Sequence, residues 1–287
     1  MEIAKNVYQC HIENEKNAQV MHPGGSNVYF IGDPNEEMIL LDTGEHSRRW
    51  TKTIVNYYEQ LGKPKITSIV ITHGHGDHTG GIERLHEIMQ CPVRCHPKLV
   101  KGLKTFVDDE DMIVKLRANE VLRTGGDVSL RAIFTPGHSD DHVCYYLSRE
   151  KLLFTGDIIL GNSPSTVSDL ADYMKSLERL GRLRVDTIGP AHGQVVSQPS
   201  GQKKVKRAGN MRIQWYMDHR QLRENQILGA LEKGIGDVDK IVSEIYPKNL
   251  KKALRRPAAS NVRTHLDKLK KEKRVDEKPA EYTINDN

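Results

Sequence analysis

Cysteine is scarce in this sequence, and long hydrophobic runs are absent. Only four of the 287 residues are cysteine, and none of them forms a C-x-x-C pair. This count and spacing argue against a disulfide framework and against a zinc knuckle, so we expect buried or half-buried free thiols. No apolar run reaches the roughly 18–20 residues that a membrane-spanning helix needs. The composition therefore excludes a membrane protein and a disulfide-stabilised secreted domain.

The N-terminal segment lacks the features of a secretory signal. Residues Met1 to Val7 include Glu2 and Lys5 and contain no apolar core. The segment is also not the Arg-rich, acid-poor sequence of a transit peptide. We expect an intracellular protein, in the mitochondrial matrix or the cytoplasm, that makes no contact with a membrane.

The excess of positive charge is small, and it is concentrated near the C-terminus. The formal net charge is +5 at pH 7. Between Lys248 and Lys278, however, twelve Lys or Arg residues stand against four Asp or Glu residues. A charged face is more often solvated than functional, but a basic one also supplies the charge that neutralises nucleic-acid phosphates.

Apolar strands alternate with amphipathic helices through the first two thirds of the chain, which predicts an α/β fold of sheets covered by helices. Ser168 is predicted to cap the last of these helices. Residues 197–204 have the composition of a linker. We therefore expect a catalytic domain of residues 1–232 and a small C-terminal domain of residues 233–287.

The pattern after the linker is all helical. Met211 to Leu231 is predicted to form one long helix. Asp237 is placed to cap a second helix and Ser260 a third, in which Val262 belongs to a buried stripe.

The segment Thr72-His73-Gly74-His75-Gly76-Asp77-His78 places three imidazoles and a carboxylate in one predicted strand-to-helix turn. Glycine at alternate positions lets the backbone bend sharply, so that the first two histidines can point one way and the Asp-His pair another. Neutral imidazole and carboxylate are ligands that zinc takes from proteins. This segment predicts a metal site.

Three further ligand candidates each follow an apolar strand, and each lies beside glycine or proline. They are His138, Asp157 and His192. Tight turns at strand ends commonly present functional side chains. A single motif of this kind can arise by chance, but four in this order argue strongly for one shared site.

Together these segments resemble the metallo-β-lactamase superfamily, in which the H-x-H-x-D-H motif binds metals. The resemblance covers about the first 200 residues and implies an αββα sandwich with two divalent ions, zinc by default, although iron and manganese also suit such ligands. It also implies a ligand set: His73, His75 and His138 for the first ion, Asp77, His78 and His192 for the second, and Asp157 as the bridge. Asp42 matches the first motif of the family, which implies that it orients ligands rather than reacts.

The residue at position 157 indicates which activities within the superfamily the resemblance favours. Antibiotic-degrading zinc β-lactamases typically have cysteine there, so Asp157 favours thioesterase, nuclease or related hydrolase activity. Two neighbouring cations lower the pKa of a shared water and polarise a carbonyl or phosphoryl oxygen. We expect hydroxide to attack the substrate, with Asp77 helping to hold it.

Longer motifs resemble the lactamase-beta-like protein two family, whose animal members are mitochondrial single-strand endoribonucleases ending in a small winged-helix-like domain. The motifs are 135–142, 154–161 with 169–177, and 219–228. The resemblance implies an endoribonuclease with single-stranded RNA as its substrate.

Several residues are candidates for contact with that RNA or for proton transfer. His142 and His219 are candidate general acids, because histidine titrates near neutral pH, although a structural role is equally compatible with both. Tyr173 and Tyr216 could stack on bases, but such aromatics are more often core. The candidate phosphate contacts are the basic residues of the last predicted helix and just beyond it: Arg263, Lys268, Lys270, Lys271, Lys273 and Arg274.

Two other functions fit the same residues. One is a thioesterase of the hydroxyacylglutathione-hydrolase or acyl-carrier type, since the same metals attack a thioester and an acidic carrier protein would suit a basic C-terminus. The other is a non-catalytic nucleic-acid-binding protein, which the intact ligand set disfavours.

Overall fold

A computed structural model describes residues 1–13, 24–161, 163–197, 207–278 and 281–284 of the chain. Most of the predicted linker 197–204 lies outside the described residues. All four cysteines are described, and they are buried free thiols, as predicted. No helix within the described ranges is both long enough and apolar enough to cross a membrane.

The first sheet has seven strands in sequence order, antiparallel from the first to the fourth and parallel from there on. The strands are β1 (Glu2–Ala4), β2 (Val7–Ile12), β3 (Ser26–Asp33), β4 (Glu37–Leu41), β5 (Lys65–Val70), β6 (Val93–Cys95) and β7 (Ile113–Lys115). The helices between them are α1 (Arg48–Gln60), α2 (Gly76–Thr79), α3 (Ile82–Met89) and α4 (Val100–Leu103).

The second sheet has five strands, each hydrogen-bonded to the next one in the sequence, and a helix crosses over between the last two strands. The strands are β8 (Val121–Thr124), β9 (Val128–Phe134), β10 (Val143–Leu147), β11 (Leu152–Gly156) and β12 (Thr187–Pro190). The crossover helix is α5 (Leu170–Gly181), and it makes β12 parallel to β11.

The two sheets pack face to face because their strands are apolar on both sides. In β3, Tyr29 and Ile31 point between the sheets, whereas Val28 and Phe30 point to the outer layer of helices. The ring of Tyr29 lies 4.8 Å from that of Phe154 on the opposite sheet. Strands covered on both faces read as continuous apolar runs. The α/β class and the αββα sandwich are confirmed.

The C-terminal part of the chain is built from three helices and a hairpin. These elements are α6 (Ala208–Glu232), α7 (Val238–Ile245), α8 (Lys252–Lys271), β13 (Val275–Lys278) and β14 (Glu281–Ile284). The first half of α6 packs Ile213 against the second sheet, and its second half packs Ile227 against α7 and α8. Because α6 contributes to both cores, the boundary between residues 232 and 233 stays a prediction.

Two of the three predicted helix caps are wrong. Asp237 caps α7, accepting from Lys240 N as predicted. At α5 the cap is Asp169, and the Ser168 hydroxyl donates to Gly137 O instead. Ser260 lies inside α8, which begins eight residues before it at Lys252. Burial of Ala258 and Ala259 in the C-terminal core favours this earlier start despite the proline at 257.

The turn before His138 depends on a glycine. Gly137 has φ +138°, and its carbonyl accepts from Ser168 N and Asp169 N. A Cβ there would lie 2.3 Å from Tyr173 Cα in α5. The start of α5 is therefore docked directly on the turn that presents His138.

We expect Gly137→Ala to lower the free energy of unfolding by more than the roughly 1–2 kcal/mol that a left-handed alanine costs, because backbone must also move. Gly62→Ala is the matched control, since Gly62 has φ +88° and no neighbouring atom within 4 Å of the added Cβ. Urea denaturation of both variants provides the measurement. Equal losses would show that α5 is not tightly docked on the turn.

A buried histidine should make stability depend on pH. Burial, together with the charges of Arg220 and Lys268, lowers the pKa of His265 from 6.5 to about 3. Below pH 6.5 the unfolded chain therefore binds a proton that the folded chain does not, so His265 weakens the fold as pH falls towards 3.

Between pH 7 and pH 5 this linkage should cost about 2 kcal/mol, at roughly 1.4 kcal/mol per unit below pH 6.5. His265→Leu should remove that part of the pH dependence. Urea denaturation at both pH values measures the difference for each protein. An identical pH dependence in the variant would contradict the assignment.

Candidate metal centre

The seven predicted ligands all lie where strands end at one edge of the sandwich. His73, His75, Asp77 and His78 follow β5, His138 follows β9, Asp157 follows β11, and His192 follows β12. The structure brings them into two adjacent groups. The first contains His73, His75, His138 and Asp157, and the second contains Asp77, His78 and His192.

Three imidazole nitrogens converge in the first group. His73 Nε2 lies 2.9 Å from His75 Nδ1 and 3.2 Å from His138 Nε2, and His75 Nδ1 lies 3.1 Å from His138 Nε2. Nitrogens bound at 2.0–2.1 Å to a tetrahedral zinc ion are roughly 3.3 Å apart. The triangle of nitrogens thus has nearly the dimensions of one face of a zinc site.

In the second group, His192 Nε2 lies 3.2 Å from Asp77 Oδ2, and His78 Nε2 lies 3.7 Å from Asp77 Oδ1. His73 and His75 belong to the first group, whereas Asp77 and His78, which follow Gly76, belong to the second. The glycine spacing predicted this division. Residues 74–76 are exposed and Asp77 is half-buried, so the opening of the centre lies on this side.

Asp157 lies between the two groups. Its Oδ1 is 3.3 Å from His192 Nε2 and 3.5 Å from His78 Nε2, and its Oδ2 is 3.8 Å from His138 Nε2. Each carboxylate oxygen therefore faces a different group. Asp157 Oδ1 and His78 Nε2 are fully buried and have no hydrogen-bond partner among the described residues. Burying such atoms is costly unless a cation satisfies them, so these residues fit a metal pair.

The other ring nitrogens are fixed by hydrogen bonds. His138 Nδ1 donates to Thr166 O at 2.9 Å, and His192 Nδ1 lies 2.9 Å from the Ser26 hydroxyl. His78 Nδ1 donates to Asp42 Oδ2 at 2.9 Å. Bonds of this kind select the tautomer and direct the opposite nitrogen of each ring towards a metal.

Asp42 supports the centre from below, as the resemblance implied. Its Oδ1 accepts from Thr72 N at 2.8 Å, and both of its oxygens contact the Thr72 hydroxyl. Its backbone has φ +61°, a left-handed conformation that aspartate tolerates better than most residues. The residue thereby links the end of β4 to the loop that carries His73 and His78.

Burial and neighbouring charge set the protonation of the ligands. Burial lowers the pKa of His73 well below 6.5, helped by the surrounding histidines, so this ring is neutral. Burial also lowers the pKa of His138. At His78 burial acts in the same direction, but the charges of Asp42 and Asp157 outweigh it and raise the pKa to about 10 in the metal-free chain. The second group thus attracts positive charge.

The structure does not support His142 as the general acid. The ring is buried, its Nε2 accepts from Asp157 N at 3.2 Å, and its Nδ1 lies 2.8 Å from the Thr135 hydroxyl. That hydroxyl donates to Cys144, so it accepts from His142. Both ring nitrogens are used inside the protein, and the residue positions the backbone of Asp157.

His219 is not brought into either group. It lies on α6, where its ring stacks on the half-exposed Trp215 at 5.2 Å. Tyr173 and Tyr216, considered as stacking residues, are core: both rings are buried, and their hydroxyls bond to the carbonyls of Ile158 and Leu160. Tyr173 and Tyr216 are therefore closed off from a substrate, and His219 belongs to neither ligand group.

Sequence reasoning missed Arg220, which connects the C-terminal helices to the centre. This buried guanidinium donates to Ser165 O and to Asn261 Oδ1 of α8, and it lies over the Tyr173 ring. The Ser165 hydroxyl in turn donates to Asp157 O. The only sequence signal for Arg220 was its position in the motif 219–228, directly after His219.

The chain belongs to the metallo-β-lactamase superfamily. The family model described as "Metallo-beta-lactamase superfamily" matches residues 22–192, which contain all seven predicted ligands. A second model, "Beta-lactamase associated winged helix domain", matches residues 238–281. The predicted winged-helix domain at the C-terminus is therefore confirmed.

Two curated relatives differ in how much of the chain they match. The chain is similar to the Beta-lactamase-like protein 2 homolog of Drosophila melanogaster, with 33% identity over 89% of this chain and 86% of that protein. It is also similar to an atrochrysone carboxyl ACP thioesterase of Aspergillus fumigatus, with 31% identity over 72% of this chain and 60% of that protein.

Solved structures show the same fold over nearly the whole chain. A metallo-beta-lactamase family protein from Thermus thermophilus has a TM-score of 0.74 at 20% identity and covers 99% of this chain and 100% of its own. A beta-lactamase domain protein from Burkholderia ambifaria has a TM-score of 0.77 at 16% identity, covering 99% and 93%. At these identities the likeness concerns the fold.

We expect Asp42→Asn to weaken metal binding by about 10–100-fold, because the amide cannot hold the His78 ring and the Thr72 backbone as the carboxylate does. Competition with a chromogenic chelator measures the affinity. Asp140→Asn is the control, since Asp140 lies in the same motif as His138 but is exposed and paired with Lys98. Unchanged affinity in Asp42→Asn would contradict the orienting role.

Proposed function

We propose that this chain is a binuclear metal-dependent hydrolase that cleaves single-stranded RNA as an endoribonuclease. The observation that carries the proposal is the pair of ligand groups that share Asp157, with a winged-helix domain attached beside them. Paired divalent ions supply Lewis acidity that lowers the pKa of water and offsets charge on a phosphoryl oxygen. Zinc is the ion that the His/Asp ligand set favours in this proposal.

The side chains of the centre have different roles. His73, His75 and His138 present three converging ring nitrogens, and Asp157 places one carboxylate oxygen towards each group. Asp77 lies at the opening, where its half-buried carboxylate is placed to orient a water towards an incoming substrate.

The position of the winged-helix domain supports a polymeric substrate. Arg220 and Asn261 connect α8 to Ser165, and Lys271 of α8 pairs with Asp169 at 2.6 Å. Residues 165–169 follow Asp157 and form the wall that holds His138 through Thr166 O. A strand bound at the metal centre therefore has the C-terminal helices directly beside it.

Most of the basic residues predicted to contact phosphate are engaged in ion pairs. Lys268 and Arg274 both pair with Glu224, at 2.8 and 2.9 Å. Lys270 pairs with Glu277, and Lys271 pairs with Asp169. Their charge is largely neutralised within the protein, so they contribute less to RNA binding than the sequence alone suggested.

An acyl-carrier thioesterase is the second candidate, because the Aspergillus relative carries that activity in its name and matches most of this chain. The same metal centre could attack a thioester carbonyl. The winged-helix domain and the longer match to the Drosophila protein favour the first candidate.

The test compares metal-loaded protein on single-stranded RNA, single-stranded DNA, S-lactoylglutathione and an acyl-carrier thioester. We expect cleavage of RNA within the strand, and its loss to background in His75→Ala and Asp157→Ala because each removes a ligand. His86→Ala is the matched control, since His86 lies on α3 outside both groups and bonds to Cys91 O.

Three other outcomes of this assay would contradict the proposal. Thioester turnover without RNA cleavage would replace the proposal by the second candidate. Full RNA cleavage by Asp157→Ala, or after complete chelation, would exclude the metal mechanism. A chain that binds no metal and gains no activity on adding it would favour a non-catalytic nucleic-acid-binding protein.

A further inference from the structure

A second basic region lies upstream of the ion-paired residues. From Pro247 to Leu266 the chain contains no acidic residue. It contains six basic residues, all exposed: Lys248, Lys251, Lys252, Arg255, Arg256 and Arg263. No ion pair joins any of the six to another part of the chain that the structure describes. The unneutralised charge of the winged-helix domain is thus concentrated at the start of α8.

Three of these residues form a line along the helix. Lys252, Arg256 and Arg263 are spaced i, i+4 and i+11, which places them within about 40° on one face at 100° per residue. We call these three residues the basic stripe. At 1.5 Å per residue the stripe is about 17 Å long, the length of roughly five stacked nucleotides at 3.4 Å each.

The stripe points away from the contacts that join α8 to the metal centre. Arg220 donates to Asn261 Oδ1 and to Ser165 O, and Asn261 lies about 140–180° around α8 from the three stripe residues. Thr264 and Lys271 form a cleft of about 360 Å³ with Ser168 and Asp169. Thr264 and Lys271 lie about 60–120° around α8 from the stripe, so this cleft lies between the stripe and the wall of the centre formed by residues 165–169.

We infer that the basic stripe binds the phosphates of single-stranded RNA outside the metal centre, where the strand continues past the cleft. This inference rests on the proposed function. Exposed lysine and arginine without acidic partners bind phosphate by releasing counterions, independently of base sequence. Arg256 and Arg263 add guanidinium groups, which can bind phosphate in a bidentate way.

The surface fits RNA better than an acidic carrier protein. Protein interfaces bury an apolar centre within a polar rim. The large exposed hydrophobic residues of the described chain lie at positions 1, 88, 121, 211, 215 and 222, all outside α7 and α8. A surface with charge but no apolar anchor is suited to a polyanion.

The test reverses the charge of the stripe in one variant, Lys252→Glu with Arg256→Glu and Arg263→Glu. The matched control is Lys5→Glu with Lys63→Glu and Arg149→Glu, which changes net charge equally at exposed turns on the opposite end of the sandwich. His75→Ala is added to both so that RNA stays intact. Fluorescence anisotropy with a labelled 20-nucleotide RNA measures binding across a series of salt concentrations.

We expect the stripe variant to bind RNA at least about tenfold more weakly than the control at low salt. Its slope of log affinity against log salt should be smaller by about 2, because three phosphate contacts at roughly 0.7 each are lost. Affinity and slope equal to those of the control would overturn the inference. Circular dichroism and a urea midpoint for each variant show that the fold is retained.

Two further measurements separate this inference from the proposed function. Cleavage of RNA and of bis(p-nitrophenyl) phosphate by the unaltered chain reports the catalytic proposal alone. If the chain cleaves RNA but the stripe variant binds it normally, only the stripe is wrong. If an acidic acyl carrier protein binds through the stripe while RNA binding is unaffected, the stripe is a protein surface and the inference is overturned.

Discussion

The structure depends on the burial of a carboxylate and several imidazoles at neighbouring strand ends, an arrangement that a bound cation would stabilise. Asp157 Oδ1 and His78 Nε2 are buried without a hydrogen-bond partner among the described residues, which costs free energy unless a cation is bound. The surrounding interactions keep these atoms in place. Asp42, Thr166 and Ser26 orient the rings, and His142 holds the backbone of Asp157. The turns after the strands are therefore held in the conformations that bring these side chains together.

Local sequence patterns predicted an α/β fold and a shared metal site, and the resemblance to the metallo-β-lactamase superfamily implied the αββα sandwich and the division of the site into two groups. Continuous apolar runs indicate strands buried on both faces, and glycines around His75 indicate a turn that can separate two sets of side chains. The helix caps at Ser168 and Ser260 were wrong because several polar residues near a helix start are equally plausible caps, and packing of Ala258 and Ala259 decides between them. Proton-donor roles for His142 and His219 could not be judged without the partners of each ring.

Electrostatic pairing was the least predictable feature. Lys268 and Arg274 are far from Glu224 in sequence, and Lys271 is more than a hundred residues from Asp169, so no local pattern indicates that these charges are neutralised. The pair between Lys271 and Asp169 also attaches the winged-helix domain to the wall of the metal centre. Arg220 makes a contact of the same long-range kind. Its buried guanidinium bonds to Asn261 of α8 and to Ser165, and the Ser165 hydroxyl bonds to Asp157 O. The position of α8 is therefore linked to the position of Asp157.

The order of the ligands along the chain has a consequence for synthesis in the cell. Protein domains generally form from the N-terminus as the chain leaves the ribosome, at about 5–20 residues per second. His73, His75 and His78 emerge early, but β12 and His192 are required to complete the second group and emerge only after the crossover helix. A newborn chain therefore holds several uncompensated ligands for many seconds. A divalent ion that met the chain during that interval would find an incomplete set of ligands.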